Sequence, residues 1–78
     1  MQKLVKIFTT PTCHYCKMAK AFFQEQGVKY EEHDVMADVA ARQEMITKSG
    51  QMGVPVIMVD NDIVIGFDEG RLRTLLGV

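Results

Sequence analysis

Hydrophobic spacing divides the chain into short segments of changing period. Lys3 to Thr9 (KLVKIFT) is apolar and β-branched, with Leu4, Val5, Ile7 and Phe8 set for burial on both faces of a sheet. Thr10-Pro11-Thr12 breaks this strand. From Cys13 to Gln26 the period becomes helical: Tyr15, Met18 and Phe22 recur at i, i+3 and i+7, beside a second stripe of Cys16, Ala19 and Phe23. Gly27 suits the residue just past the helix end.

Val28 to Val35 (VKYEEHDV) predicts a second strand, polar and peripheral. Asp38 is placed to cap a helix running to about Ser49, with Val39, Met45 and Ile46 apolar and Gly50 closing it. Pro55 to Asp60 and Asp62 to Gly66 then form a hairpin about Asn61. Asp68 is placed to cap a last short helix carrying Leu72, Leu75 and Leu76. The predicted order is βαβαββα, an α/β fold in a single domain over residues 1–78. A right-handed βαβ unit gives parallel strands and the closing hairpin adds antiparallel ones, so a four-stranded mixed sheet with three helices is expected.

Composition narrows the function classes. Of 78 residues, 47% are apolar and 24% charged, and the formal net charge of −1 leaves no basic excess for nucleic acid. The longest apolar runs, such as Val54 to Val59, fall far short of the roughly 20 residues a membrane span needs. MQKLVKIF lacks a signal-peptide apolar core and cleavage site, so the expected location is the cytoplasm, with neither nucleic acid nor membrane as partner.

Candidate chemistry sits in TCHYCK, which holds the chain's 2 cysteines, Cys13 and Cys16. As a structural staple the pair is poorly placed. Closing four residues is worth about 2 kcal/mol, against about 3 for a 15-residue loop, and cytoplasmic proteins rarely carry structural disulfides. A zinc site needs four ligands, and His14 and His33 lack ligand-like spacing. A redox couple fits the location, where a strand ends and a helix begins. Free N–H groups and the helix dipole favour negative charge at Cys13, while Cys16, one turn in, faces the interior. Cys13 is therefore expected to attack a disulfide and Cys16 to resolve the mixed disulfide. His14 and Tyr15 lie between the two cysteines, His14 as a group that stabilises a thiolate when protonated and Tyr15 as a wall for a bound peptide or glutathione.

Three motifs in order, Thr12-Cys13-His14-Tyr15-Cys16, Gly53-Val54-Pro55 and Gly66-Phe67-Asp68, resemble the glutaredoxins over essentially the whole chain. TTPTCHYCKMAKAFF, SGQMGVPVI and GFDEGRL are similar to small bacterial and archaeal glutaredoxin-like proteins, close to the redoxins that serve ribonucleotide reductase. The resemblance implies a thioredoxin-like fold with Pro55 cis and packed against the CxxC, leaving the Val54 backbone to pair with an extended substrate. It also implies that Phe67 and Asp68 meet the γ-glutamyl end of glutathione, and that Gln51 meets its glycine carboxylate. With Thr12, His14, Tyr15, Val54 and Pro55 these complete the expected substrate site.

Departures from the family pattern bear on the electron donor. Thr10 stands where dithiol glutaredoxins carry a lysine, His14 where they carry proline, and Phe67 where the second glycine of a Gly-Gly pair is usual. Two donors therefore remain open, glutathione or a thioredoxin-reductase-type dithiol system. The expected activity is dithiol reduction of protein disulfides or glutathione mixed disulfides by a monomer, with no bound cofactor and no metal. The alternatives are a thioredoxin-reductase-dependent redoxin supplying ribonucleotide reductase, and a non-enzymatic metal or iron–sulfur carrier in which glutathione thiolates complete a dimeric site.

Overall fold

Each of the three helices begins on a side chain that accepts a backbone N–H. In the computed structural model, which describes residues 3–78, the order is β1 (Val5–Thr9), α1 (His14–Glu25), β2 (Glu31–Asp34), α2 (Val39–Ser49), β3 (Val56–Val59), β4 (Asp62–Ile65) and α3 (Glu69–Leu76). Cys13, Asp38 and Asp68 occupy the N-cap positions and accept from the N–H of Cys16, Ala41 and Arg71. Past the end of α1, Gly27 takes φ +67°, a left-handed conformation that costs glycine least. There the Val28 N–H reaches back to the Phe23 carbonyl at 2.8 Å.

Strand order is β2-β1-β3-β4. β1 and β2 run parallel, with Thr9 opposite Asp34, whereas β3 is antiparallel to both β1 and β4. This is the four-stranded mixed sheet of a thioredoxin-like α/β fold. One apolar layer joins Val5, Ile7, Ile57, Val59 and Val64 of the sheet to Ala19, Phe22 and Phe23 of α1 and Leu72 of α3. On the opposite face Phe8 and Val56 pack with Val35 and with Ala41 and Met45 of α2. β1 thus feeds both layers, as its near-continuous apolar run requires.

Several expectations shift in detail. β1 starts at Val5 rather than Lys3, and Leu4 is exposed. β2 shrinks to four polar residues because, as an edge strand, it has a ladder partner only in β1. On α1 the stripe facing the sheet is Cys16, Ala19 and Phe23 together with Phe22. Tyr15 and Met18, one step around the helix, lie exposed on its flank. Val39, in the first turn of α2, is also exposed. The hairpin turns through Asp60 and Asn61, with Asp60 at φ +53°. Among the described residues no helix is long and apolar enough to cross a membrane.

Candidate active site

The parallel strands place one end of the sheet beside the cysteine pair. β1 ends at Thr9 and the chain turns through Pro11 and Thr12, with the Cys13 N–H donating to the Thr10 carbonyl at 3.3 Å. Cys13 then begins α1. Its Sγ accepts the Cys16 N–H at 3.2 Å, so a sulfur fills the role usually taken by a serine or aspartate oxygen. Both cysteines are free thiols of unequal access: Cys13 is half-buried, and Cys16 is 1% exposed.

Their electrostatics differ accordingly. Burial pushes the Cys16 thiol up to about 12, and the neighbouring Cys13 sulfur pushes in the same direction. The Thr10 backbone N–H and the Lys20 ammonium pull the other way, favouring the Cys16 thiolate. Cys16 in the free dithiol therefore remains protonated across the neutral range. At Cys13, the N-terminal end of α1 supplies backbone donors and a positive dipole.

A groove of about 330 Å³ opens beside α1, lined by Tyr15, Val54, Pro55, Ile65, Gly66, Phe67 and Asp68. Five residues anticipated from sequence meet there: Tyr15, Val54, Pro55, Phe67 and Asp68. Ile65 and Gly66 were not singled out as site residues. Gly66 takes φ +82° and donates its N–H to the Pro55 carbonyl at 2.8 Å, which ties the hairpin end to the groove floor. The Val54-Pro55 bond is cis, and Pro55 is fully buried. Neither polar backbone atom of Val54 has a hydrogen-bond partner among the described residues, so that residue offers a free stretch of main chain.

Phe67 and Gln51 behave in ways the sequence did not indicate. The Phe67 ring turns partly inward and meets Phe22 edge-on at 5.9 Å, while the Arg73 guanidinium lies 5.1 Å over that same Phe22 ring. Its bulk is thus shared between groove wall and core. Gln51 folds its amide back on its own loop, accepting the Gly53 N–H at 2.6 Å and donating to the Gly53 carbonyl at 3.0 Å. A Cβ on Gly53 would stand 2.7 Å from that Gln51 oxygen, so a larger residue there would displace the Gln51 amide from these two bonds. Gln51 and Met52 lie outside the groove lining.

Thr12 and His14 are exposed on the turn before and at the start of α1, and the His14 and Tyr15 rings stand edge to face at 5.8 Å. His33 is half-buried on β2, 5.6 Å from the Phe8 ring, with its Nε2 3.6 Å from Glu31. Among the described residues no group of three or more His, Cys, Asp or Glu side chains is arranged to hold a metal ion. Two further hollows, about 270 and 320 Å³, lie around Lys3 and Lys29 at the opposite end of β1 and include neither cysteine.

Comparison with known proteins agrees with this geometry. A family model described as Glutaredoxin matches residues 5–64. A glutaredoxin-like 8.6 kDa protein of the rubredoxin operon of Clostridium pasteurianum is 36% identical over 73 residues, covering 94% of this chain and 97% of that one. Glutaredoxin 3 of Escherichia coli K12 is 40% identical over 65 residues, covering 83% and 78%. The crystal structure of a thioredoxin-like protein superposes with a TM-score of 0.88 at 33% identity, over 92% of this chain and 99% of the other. With the cysteine pair at the head of α1 and the family match running across most of the chain, the protein belongs to the glutaredoxin family.

Proposed function

We propose that the protein is a dithiol thiol-disulfide oxidoreductase acting on protein disulfides or glutathione mixed disulfides. Family membership and fold support thiol-disulfide chemistry in general. The observation that carries the dithiol reading is the inequality of the two thiols: Cys13, half-buried at a helix N-terminus, accepts the N–H of a fully buried Cys16.

Cys13 attacks as the thiolate. Its sulfur forms a bond to one substrate sulfur, the substrate S–S bond breaks, and the second substrate sulfur leaves as a thiolate that takes a proton from solvent. Cys16 then loses its proton and attacks the Cys13 sulfur, releasing the first substrate sulfur. Two electrons have passed to the substrate, and Cys13 and Cys16 are joined in a disulfide that an external thiol donor reduces.

Substrate is read by the groove and the turn. The unpaired backbone of Val54 adds an extended segment beside the buried Pro55, Tyr15 and Phe67 form apolar walls, and Asp68 presents its carboxylate to a cationic group. Thr12 and His14 border the entrance, and Gln51 braces the loop that carries Val54. Cytoplasmic location suits a CxxC that cycles rather than staples.

A second reading of the donor rests on charge. Among the described residues no lysine or arginine lines the groove, and Thr10 replaces a lysine usual in dithiol glutaredoxins. A dithiol donor such as thioredoxin reductase therefore competes with glutathione for the role of reductant. Reduction of the oxidised protein by glutathione, compared with NADPH plus thioredoxin reductase, separates the two. The dithiol mechanism itself is tested by disulfide reduction with Cys13→Ser and Cys16→Ser: the first should be inactive, and the second should turn over only glutathione mixed disulfides.

A further inference from the structure

Beneath the cysteine pair lies a polar cluster that the exchange scheme above does not use. Lys20 follows Cys16 by four residues on α1, so the two side chains share a helix face. Its Nζ donates to Glu32 Oε2 on β2 at 2.8 Å, and the Thr9 hydroxyl donates to the same oxygen at 3.0 Å. Thr9 is 2% exposed, and Thr9 directly precedes Thr10, whose N–H serves Cys16. Three elements, α1, β1 and β2, therefore converge to fix one ammonium group a helical turn beyond the buried thiol.

The charges are arranged with a direction. Lys20 is felt at Cys16, whereas the Glu32 carboxylate is engaged by Lys20 and Thr9 and sits near Asp34. The carboxylate holds the ammonium on the helix face that Lys20 shares with Cys16. An exposed lysine–glutamate pair by itself contributes little to stability, about 0.2–1 kcal/mol, so its placement matters more than its binding strength.

Resolution of the mixed disulfide is the step that needs this charge. In the free dithiol, burial and Cys13 both oppose the Cys16 thiolate. Once Cys13 is joined to substrate, its sulfur carries no charge beside Cys16, and burial is the opposition that persists. The favourable influences left on Cys16 are then the Thr10 N–H and Lys20. We propose that Lys20, held by Glu32 and Thr9, is a positioning residue for resolution: it stabilises the Cys16 thiolate that attacks the Cys13 mixed disulfide, while contributing little to the first attack by Cys13. The inference rests on the reading of Cys16 as the resolving thiol. In this step the Cys16 proton passes to solvent, a bond forms between the Cys16 and Cys13 sulfurs, and the substrate thiolate departs.

Rapid mixing of the reduced protein with 5,5′-dithiobis(2-nitrobenzoate) reads both steps in one trace, since Cys13 attack releases one thionitrobenzoate and Cys16 attack releases the second. A tenfold loss of Cys16 thiolate carries about a threefold gain in intrinsic nucleophilicity at a Brønsted slope near 0.45, so the net slowing should be about threefold. Lys20→Met should therefore slow the second release about threefold, leave the first within about twofold, and move the pH midpoint of the second release upward. Lys20→Arg should restore the second release. A second phase in Lys20→Met equal to that of the unsubstituted protein, or a loss that Lys20→Arg does not rescue, overturns the role of Lys20. Should the unsubstituted protein release only one equivalent, the reading of Cys16 as resolver fails instead.

Discussion

The N–H of Cys16 donates to the sulfur of Cys13 across 3.2 Å, so the first thiol caps the helix that buries the second. One contact thereby serves both structure and chemistry. It satisfies a backbone donor that a helix start leaves open, and it places a hydrogen bond on the sulfur where negative charge is needed.

Cys13→Ser should separate those two roles. Serine is among the preferred N-cap residues, so the melting temperature of the reduced protein should stay within a few degrees of the parent or rise slightly. Disulfide reductase activity should fall to background, because an alcohol does not replace a thiolate nucleophile. Thermal unfolding and insulin or mixed-disulfide reduction on the same preparation measure the pair of outcomes.

Alkaline pH should destabilise the reduced protein through Cys16. Burial raises this thiol from an ordinary 9.0 to about 12. The folded chain then keeps a proton that the unfolded chain gives up, so stability is fullest below about 9 and declines as pH rises toward 12. The slope is at most about 1.4 kcal/mol per pH unit for one proton. Denaturant midpoints at several pH values between these limits should fall more steeply for the parent than for Cys16→Ala.

Asp68 combines a cap and a free charge, and the two can be parted. Its Oδ1 accepts the Arg71 N–H at 3.1 Å at the start of α3. Asp68→Asn keeps a strong N-cap, so it should cost only the charge–dipole part, about 0.3–1 kcal/mol. Asp68→Ala should cost about 0.5–2 kcal/mol. If the carboxylate meets the ammonium of a γ-glutamyl group, both variants should raise KM for glutathione mixed disulfides while kcat changes little.

Thr10→Lys should restore a cation at the position where the family usually has one. Partly exposed ion pairs are worth about 0.2–1 kcal/mol, so reduction of the oxidised protein by glutathione should quicken by a factor of about 1.4 to 5 and lose that gain at high salt. Turnover with a thioredoxin-reductase system should not change by a comparable factor.

How far the sequence carried these features depended on range. Caps, glycine stops and the turn at Asp60-Asn61 are set by neighbouring residues, and Asp38, Asp68, Gly27 and Gly50 stand where the pattern put them. The junction of strand and helix at Cys13 was legible for the same reason. Two adjacent stripes on α1 both had helical period, and spacing alone could not say that Cys16, Ala19 and Phe23 face the sheet while Tyr15 and Met18 do not. The direction of the Phe67 ring depended on Phe22, far away in sequence, and Gln51 found its partners within its own loop. The Lys20, Glu32 and Thr9 cluster exists only because the parallel register of β1 and β2 sets Thr9 beside β2 under α1.

The division of labour between the cysteines is tested most directly by mass spectrometry of the protein after reaction with one equivalent of glutathione disulfide. The reduced parent should end with a Cys13–Cys16 disulfide and no adduct, and Cys16→Ser should carry a single glutathione on Cys13. A stable adduct on Cys16, or an adduct-forming Cys13→Ser variant that still reduces disulfides, would contradict the assignment.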